Sequence, residues 1–319
     1  MTGTIVVKRP ATPSLEQLQH AAAGREVVEI EQVSEQGCQA RGVDPLSVSA
    51  VLGASPEDDL SFFPALQWVH SSAAGVDGWI AARAIPDRAI LTSAVGNGAI
   101  PLAEHALLLM LMLNREAPRW FRAQQRRQWD RYVHGELVGA SLGIVGYGNS
   151  GADLAAKALA CHMQVRALRR SPGPAEDGDV RLVYEQGGLE ELLRESDFVV
   201  VTAPYTSLTR GLIGAEELAL MKPTSFLVVV SRGGIVDDRA LLAALRDGAI
   251  AGAGLDAHSI EPLPADSPWW DLENVIVTPH NGATTPGTAE RGREIVLDNV
   301  SRWVNGDALV NVVDLSRGY

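Results

Sequence analysis

The sequence predicts an α/β protein whose parallel sheets are covered by helices on both faces. Three observations carry this. From Thr4 to about Ile100, short apolar runs alternate with helical segments. A second alternating region extends from Leu142 to about Pro286. Between them in character is the stretch Leu142–Gly151, where an apolar run stops at a glycine and continues directly into a helical pattern. Alternation of this kind is the mark of βαβ units, because a parallel strand needs a crossover, usually a helix, before the next.

In the first region the candidate strands are Ile5–Val7, Val27–Ile30, Ser49–Leu52, Trp68–His70 and Ile90–Leu91, and Leu15–Ala23 and Gly78–Ala84 read as helices. Pro101 to about Gln128 reads as one long helix with proline in its first turn, which Pro118 is expected to kink or end. The second region offers strands at Ile144–Val145, Val165–Leu168, Phe198–Thr202, Phe226–Val230, Gly254–Asp256 and Val275–Thr278. Ala152–Leu159 has helical spacing, Pro172–Gly178 reads as a turn-rich loop, and a final helix covers about Ala289–Asn305.

The glycines Gly146, Gly148 and Gly151 fit G-x-G-x-x-G, and their strand-to-helix context gives the motif its meaning. Gly146 permits the tight turn, Gly148 admits a pyrophosphate to the backbone, and Gly151 lets helix and strand pack closely. The helix N-terminus then presents unpaired N–H groups to the phosphates. This predicts a Rossmann dinucleotide site that includes Tyr147, Asn149 and Ser150. At the end of the next strand, where an NAD site carries Asp or Glu about 20 residues on, the chain has Arg169, Arg170 and Ser171. An acid would repel a 2′-phosphate, whereas a guanidinium pairs with it. The expected cofactor is NADP(H), with NAD as the second candidate.

A chain of 319 residues accommodates two domains, and its 46% hydrophobic content supplies ordinary cores. The net charge of −12 argues against a nucleic-acid surface. Two cysteines, Cys38 and Cys161, suggest neither a disulfide framework nor a zinc site, and no metal is expected. The N-terminus shows no apolar run of signal-peptide length, and the most apolar stretch, Ala99–Leu113, is short and interrupted by Pro101, Glu104 and His105. A cytoplasmic protein without membrane partners is expected.

Three strand ends carry the polar residues. Arg232 follows the apolar run Phe226–Val230; Asp256 and Glu261 follow Gly254–Leu255; His280 follows Val275–Thr278 and Pro279. Ligands of open α/β sheets bind beyond the carboxyl ends of strands. A histidine, an arginine and a glutamate there suit carbonyl reduction, in which charge develops on oxygen. His280 supplies the proton, Glu261 pairs with and orients it, and Arg232 holds a carboxylate beside the carbonyl.

With these residues in hand, the chain resembles the D-isomer-specific 2-hydroxyacid dehydrogenases. The likeness runs from about Leu66 to Pro286 and rests on Gly143–Gly151, Pro204–Ile213, Met221-Lys-Pro223, Arg232–Asp237, Ala240–Leu245, Gly254-Leu-Asp256, Glu261–Pro264 and Thr278-Pro-His280. The resemblance implies two doubly wound parallel-sheet domains, a Rossmann nucleotide domain at residues 101–286 and a flavodoxin-like substrate domain at 1–100 and 287–319, with the active site in the cleft. It implies catalytic Arg232, Glu261 and His280, and cofactor contacts that include Pro204, Thr209, Val230 and Asp256. It implies that N–H groups of Ala74, Gly75 and Val76 join Arg232 and His280 in binding the substrate. A homodimer through the nucleotide domain is also implied. Arg169 is similar to the NADP-using members that reduce glyoxylate and hydroxypyruvate, so a small 2-ketoacid is the expected substrate. His258 and His162 depart from the family pattern, and neither is expected to touch the Arg-Glu-His set. An NAD-dependent phosphoglycerate dehydrogenase-like enzyme and a nucleotide-sensing, corepressor-like binding protein are the alternatives.

Overall fold

The computed structural model describes residues 3–171 and 173–319 and divides the chain into two units. One unit takes the chain up to Asn97 together with Thr285–Tyr319; the other is Gly98–Thr284.

In the first unit the order is β1 (Thr4–Lys8), α1 (Leu15–Ala21), β2 (Val27–Ile30), α2 (Glu35–Gln39), β3 (Val48–Leu52), β4 (Trp68–Ser71), α3 (Asp77–Ala82) and β5 (Ile90–Ser93). The strands form one parallel sheet in the order β2-β1-β3-β4-β5, which is the flavodoxin-like order. Successive side chains of a strand face opposite ways, and the cores follow. Ile5, Val7, Ala50, Leu52 and Trp68 meet Leu18 of α1 and Val296, Val300 and Trp303 of the C-terminal helix. Val6, Val51 and Val69 meet Cys38 and Trp79 on the other face. Ser14 sets the start of α1 through a capping box with Gln17, satisfying N–H groups that the helix cannot.

The second unit begins with α4 (Ala99–Asn114) and α5 (Ala117–Gln125). Then come β6 (Ser141–Val145), α6 (Asn149–Ala160), β7 (Gln164–Arg169), β8 (Glu176–Asp177), β9 (Val180–Tyr184), α7 (Glu185–Glu195) and β10 (Phe198–Val201). The remainder is α8 (Ala215–Leu220), β11 (Phe226–Val229), α9 (Asp238–Arg246), β12 (Gly252–Leu255) and β13 (Val275–Val277), before α10 (Pro286–Asn305) returns the chain to the first unit. The sheet order is β13-β12-β11-β10-β6-β7-β9-β8, parallel except for the β8–β9 pair. Valine-rich strands with both faces buried explain the near-continuous apolar runs. Val199, Val201, Leu227 and Val229 face Leu193, Leu218 and Leu241, whereas Phe198, Val200, Ile144 and Val228 face Leu109, Met110 and Leu154.

Two expectations change. The helix expected over Pro101–Gln128 is two helices. Arg115 closes α4, Glu116 turns left-handed at φ 53°, and α5 restarts with Pro118 in its first turn. Proline lacks the N–H and clashes with the carbonyl four residues earlier, so a helix breaks before it and readily begins with it. The expected loop Pro172–Gly178 contains strand β8, paired antiparallel with β9 through Glu176–Arg181 and Asp177–Val180; Pro172 itself lies outside the described residues. The elements β9, α2, α7, α8 and α9 were not anticipated. No helix among the described residues is long and apolar enough to cross a membrane.

Candidate active site

The turn after β6 is built as its glycines require. Gly146 has φ +107°, and a Cβ there would lie 2.5 Å from the Ala203 nitrogen. A Cβ on Gly151 would lie 2.4 Å from the Gly146 carbonyl oxygen. The Thr202 hydroxyl donates to that same carbonyl at 2.5 Å, fixing the turn to β10. Over Gly148 the space is open: a Cβ would meet nothing within 4 Å. Asn149 and Ser150 open α6, and no side chain caps its N-terminus. A cradle of backbone N–H groups with clear space above it fits a pyrophosphate.

Arg169 is the last residue of β7 and is exposed; Arg170 and Ser171 follow it. Tyr147, within the glycine turn, donates its hydroxyl to Asp177 of β8 at 3.0 Å. Burial, then the bond to Asp177 and its charge, push the Tyr147 phenol up, while the Arg169 charge opposes them. Arg169 therefore shares its surroundings with an acid that sequence reasoning missed. Nothing in the motif points to Asp177, which reaches the turn only because β8 folds back on β9. Pro204 and Thr209 belong to one turn after β10, where the Thr209 hydroxyl donates to the Pro204 carbonyl at 2.6 Å.

Beyond the ends of β11, β12 and β13, three loops converge. Val230, buried, ends the run from which Arg232 emerges half-buried, and an Arg232 N–H donates to the Ser231 carbonyl at 2.8 Å. Gly233 lies so close to the next loop that a Cβ would sit 2.1 Å from the His258 carbonyl carbon. In that loop Glu261 accepts from His280: the imidazole Nδ1 is 2.9 Å from Oε1 and 2.8 Å from Oε2. Oε1 also accepts the backbone N–H of His258 at 2.8 Å. Burial works to raise the Glu261 carboxyl, but the His258 N–H and the His280 bond outweigh it and hold it below its ordinary value. A carboxylate has no proton to give, so Nδ1 of His280 carries hydrogen and Nε2 is the atom left for proton exchange.

His280 has φ +52°, a left-handed conformation uncommon for a residue with a Cβ. Asp256, fully buried, holds the chain on both sides of it. Its oxygens accept from the Thr278 hydroxyl at 2.7 Å and from the N–H groups of Asn281 and Gly282 at 3.1 and 3.0 Å. His105 of α4 adds Nε2 at 3.4 Å from Asp256 and 3.0 Å from the Thr278 hydroxyl oxygen. Burial works to raise the Asp256 carboxyl, and these donors, His105 first, hold it far below the usual carboxylate range. Neither His105 nor the imidazole of His258, which donates Nε2–H to the Thr278 carbonyl at 2.9 Å, was picked from the sequence. The expectation that His258 stands apart from the Arg-Glu-His set is corrected: its backbone reaches Glu261 and Gly233, because the loop after β12 folds back between the other two. His162, in contrast, follows the end of α6 and donates its N–H to the Leu159 carbonyl.

In the other unit, Ala74 and Gly75 lie in the bend between β4 and α3, and buried Val76 precedes the helix. Ala73 ties the bend down by accepting from the Ala94 N–H at 3.2 Å.

Residues 107–282 match the family described as D-isomer specific 2-hydroxyacid dehydrogenase, NAD binding domain. Along its whole length the chain is similar to a D-isomer specific 2-hydroxyacid dehydrogenase from Xanthobacter autotrophicus Py2 solved with NADPH and MES. The TM-score is 0.86 and the identity 32%, with all of both chains covered. An NADPH-dependent glyoxylate/hydroxypyruvate reductase from Sinorhizobium meliloti, solved with NADP and sulfate, superposes with TM-score 0.82 at 28% identity, covering 99% of this chain and 100% of that one. A D-3-phosphoglycerate dehydrogenase of Methanocaldococcus jannaschii is 34% identical over 256 residues, or 78% of this chain; the chain spans 48% of that relative's length.

Proposed function

The chain belongs to the D-isomer specific 2-hydroxyacid dehydrogenase family, and we propose that it reduces a small 2-ketoacid, glyoxylate or hydroxypyruvate, to the D-2-hydroxyacid with NADPH. The observation that carries this reading is the Glu261–His280 pair, hydrogen-bonded through both carboxylate oxygens and packed against the Arg232 loop. NADPH, when bound, supplies the hydride that the keto carbon receives. The residues supply the rest. Arg232, a planar two-pronged donor, binds the substrate carboxylate and polarises the keto oxygen. His280 gives its Nε2 proton to that oxygen and keeps its Nδ1 hydrogen, which it donates to Glu261. In the reverse direction the neutral imidazole takes the proton back at Nε2. The N–H groups of Ala74, Gly75 and Val76 are proposed as the second hold on the substrate carboxylate.

The phosphate cradle over Gly148 and the arginines ending β7 support NADPH; the solved structures in complex with NADPH and NADP agree with that choice. Asp177, tied to the glycine turn by Tyr147, favours residual use of NADH, since a carboxylate suits a ribose hydroxyl better than a phosphate. An exposed apolar patch supports a homodimer through the nucleotide unit. Trp129 and Val133 are 96% and 95% exposed, beside half-exposed Trp120 and Phe121 on α5, and patches of this kind mark interfaces. The free cysteines Cys38 and Cys161 are in keeping with a cytoplasmic setting.

Steady-state rates with glyoxylate, hydroxypyruvate, pyruvate and 3-phosphohydroxypyruvate, each with NADPH and NADH, test the reading. Acetaldehyde, which has no carboxylate for Arg232, is the control. Acetaldehyde reduced as fast as glyoxylate overturns the assignment; preference for the phosphorylated acid with NADH establishes the phosphoglycerate-type alternative.

A further inference from the structure

His258 has atoms that reach toward all three catalytic loops. Its backbone N–H donates to Glu261. Its carbonyl group is the close neighbour that leaves Gly233 no room for a side chain, so the segment carrying Arg232 abuts it. Its ring Nε2 lies 2.9 Å from the carbonyl oxygen of Thr278, two residues before His280. A carbonyl oxygen only accepts, so the ring donates and Nε2 carries the hydrogen. The side-chain hydroxyl of Thr278 is already committed to Asp256. The carbonyl and the hydroxyl of Thr278 are thus fastened, one by each of two residues from the loop after β12.

This matters because His280 occupies a left-handed backbone conformation. For a residue other than glycine that conformation is strained and persists only where the surroundings over-determine it. Asp256 supplies the restraint after His280, through the Asn281 and Gly282 N–H groups. Before His280, Pro279 has no N–H to give, so the bonds of Thr278 carry the restraint: its N–H donates to the Leu255 carbonyl at 2.9 Å, its hydroxyl donates to Asp256, and its carbonyl accepts from the His258 ring. We propose that His258 is a positioning residue of the reaction: its ring bond to Thr278 and its N–H bond to Glu261 hold the two members of the proton-transferring pair in register, next to the loop of Arg232.

The inference rests on the reading of His280 as the proton carrier. His258→Phe keeps a ring of similar size and the backbone N–H to Glu261, and removes only the bond to Thr278. His258→Gln returns an N–H donor to the side chain. The expected result is a fall in kcat of about 2- to 10-fold in His258→Phe, the rate equivalent of losing one ordinary hydrogen bond. The dissociation constant of NADPH, read from its fluorescence, stays within about twofold of wild type in the same assay. His258→Gln recovers most of the rate. In histidine-labelled protein, the His280 ring resonances move in His258→Phe, and wild type shows a slowly exchanging Nε2 proton on His258. A wild-type kcat in His258→Phe, no recovery in His258→Gln, or a freely exchanging His258 Nε2 proton overturns the proposal. Wild type inactive on every 2-ketoacid overturns the proposed function instead, and the ring resonances, which need no turnover, still decide whether His258 positions His280.

Discussion

Replacing Glu261 with glutamine tests the heart of the mechanism, because it keeps size and shape and changes only what the group can accept. Both carboxylate oxygens lie on Nδ1 of His280, at 2.9 and 2.8 Å, and Oε1 also takes the His258 N–H. A glutamine has one accepting oxygen for two donors. If the His258 N–H keeps it, the amide N–H₂ faces Nδ1, and the neutral imidazole must then carry its hydrogen on Nε2. That tautomer has no lone pair at the atom that removes the proton in oxidation. If His280 keeps the oxygen, the His258 N–H is left partly buried without its partner. A neutral hydrogen bond alone is worth about 1 kcal/mol, or less than tenfold in rate. General acid–base catalysis is worth about 10²–10⁴-fold. The expected fall in kcat is therefore about 100-fold, larger in hydroxyacid oxidation than in ketoacid reduction. Stopped-flow single turnovers in both directions measure it, with NADPH fluorescence titration as the control for cofactor binding. A kcat within about threefold of wild type in both directions, or a loss confined to NADPH affinity, refutes the reasoning.

Arg169→Asp is expected to lower kcat/KM for NADPH by about ten- to a hundredfold, since a charge-assisted hydrogen bond is worth about 1.5–3 kcal/mol; Asp177→Asn should strengthen NADPH binding, and parallel NADPH and NADH titrations check both. Trp129→Glu with Val133→Glu should convert a dimer to a monomer in light scattering, and an unchanged mass removes the patch at Trp129 and Val133 from the interface. His70 is fully buried in β4, and burial pushes its imidazole down to about 4 from 6.5. The unfolded chain takes up a proton that the folded one refuses, so stability is intact above pH 6.5 and falls as the pH drops toward 4. The gap of about 2.5 pH units corresponds to about 3 kcal/mol. Urea unfolding at pH 7 and pH 4.5 should show a smaller acid loss in His70→Leu than in wild type; equal losses would assign acid sensitivity elsewhere.

Most strands of both units were legible because burial on both faces of a doubly wound sheet leaves each as a short, nearly continuous apolar run. The phosphate turn was legible because Gly146 and Gly151 answer to local constraints, a φ of +107° and a carbonyl 2.4 Å from where a Cβ would stand. The break between α4 and α5 was only half legible. Pro118 announced an interruption, but the left-handed Glu116 that carries it has no residue signal of its own. Strand β8 was hidden because two residues, Glu176 and Asp177, have neither length nor apolar character and pair only because β9 offers an edge. Asp177 therefore entered the surroundings of Arg169 unannounced, and with it the one feature that weakens a simple charge argument for NADPH.

The candidate catalytic residues divide along the same physical line. Arg232, Glu261 and His280 could be named because strand ends in this architecture face ligands, and because their chemistry is complementary. What holds them could not. The restraint on His280 comes from Asp256 twenty-four residues earlier, from the ring of His258, and from His105 on a helix that starts the unit. Each of these bonds depends on strands β12 and β13 being neighbours in register, with Leu255 opposite Val277. That pairing sets Asp256 and Thr278, the residues immediately after each strand, side by side, and their 2.7 Å hydrogen bond follows from it. A slip of one residue would turn every side chain of β13 to the opposite face. It would separate Thr278 from Asp256 and release the left-handed turn at His280. The sheet register is thus a condition of the proton-transferring geometry, and the glycine at 254 shows how tightly it is kept: a Cβ there would come within 3.1 Å of the Leu109 side chain on α4. Gly254→Val would press on the helix that carries His105 while leaving every catalytic side chain unchanged. It should therefore depress kcat, with KM for the ketoacid and the NADPH dissociation constant less affected, and a variant that folds with wild-type kcat would break the link from register to His280.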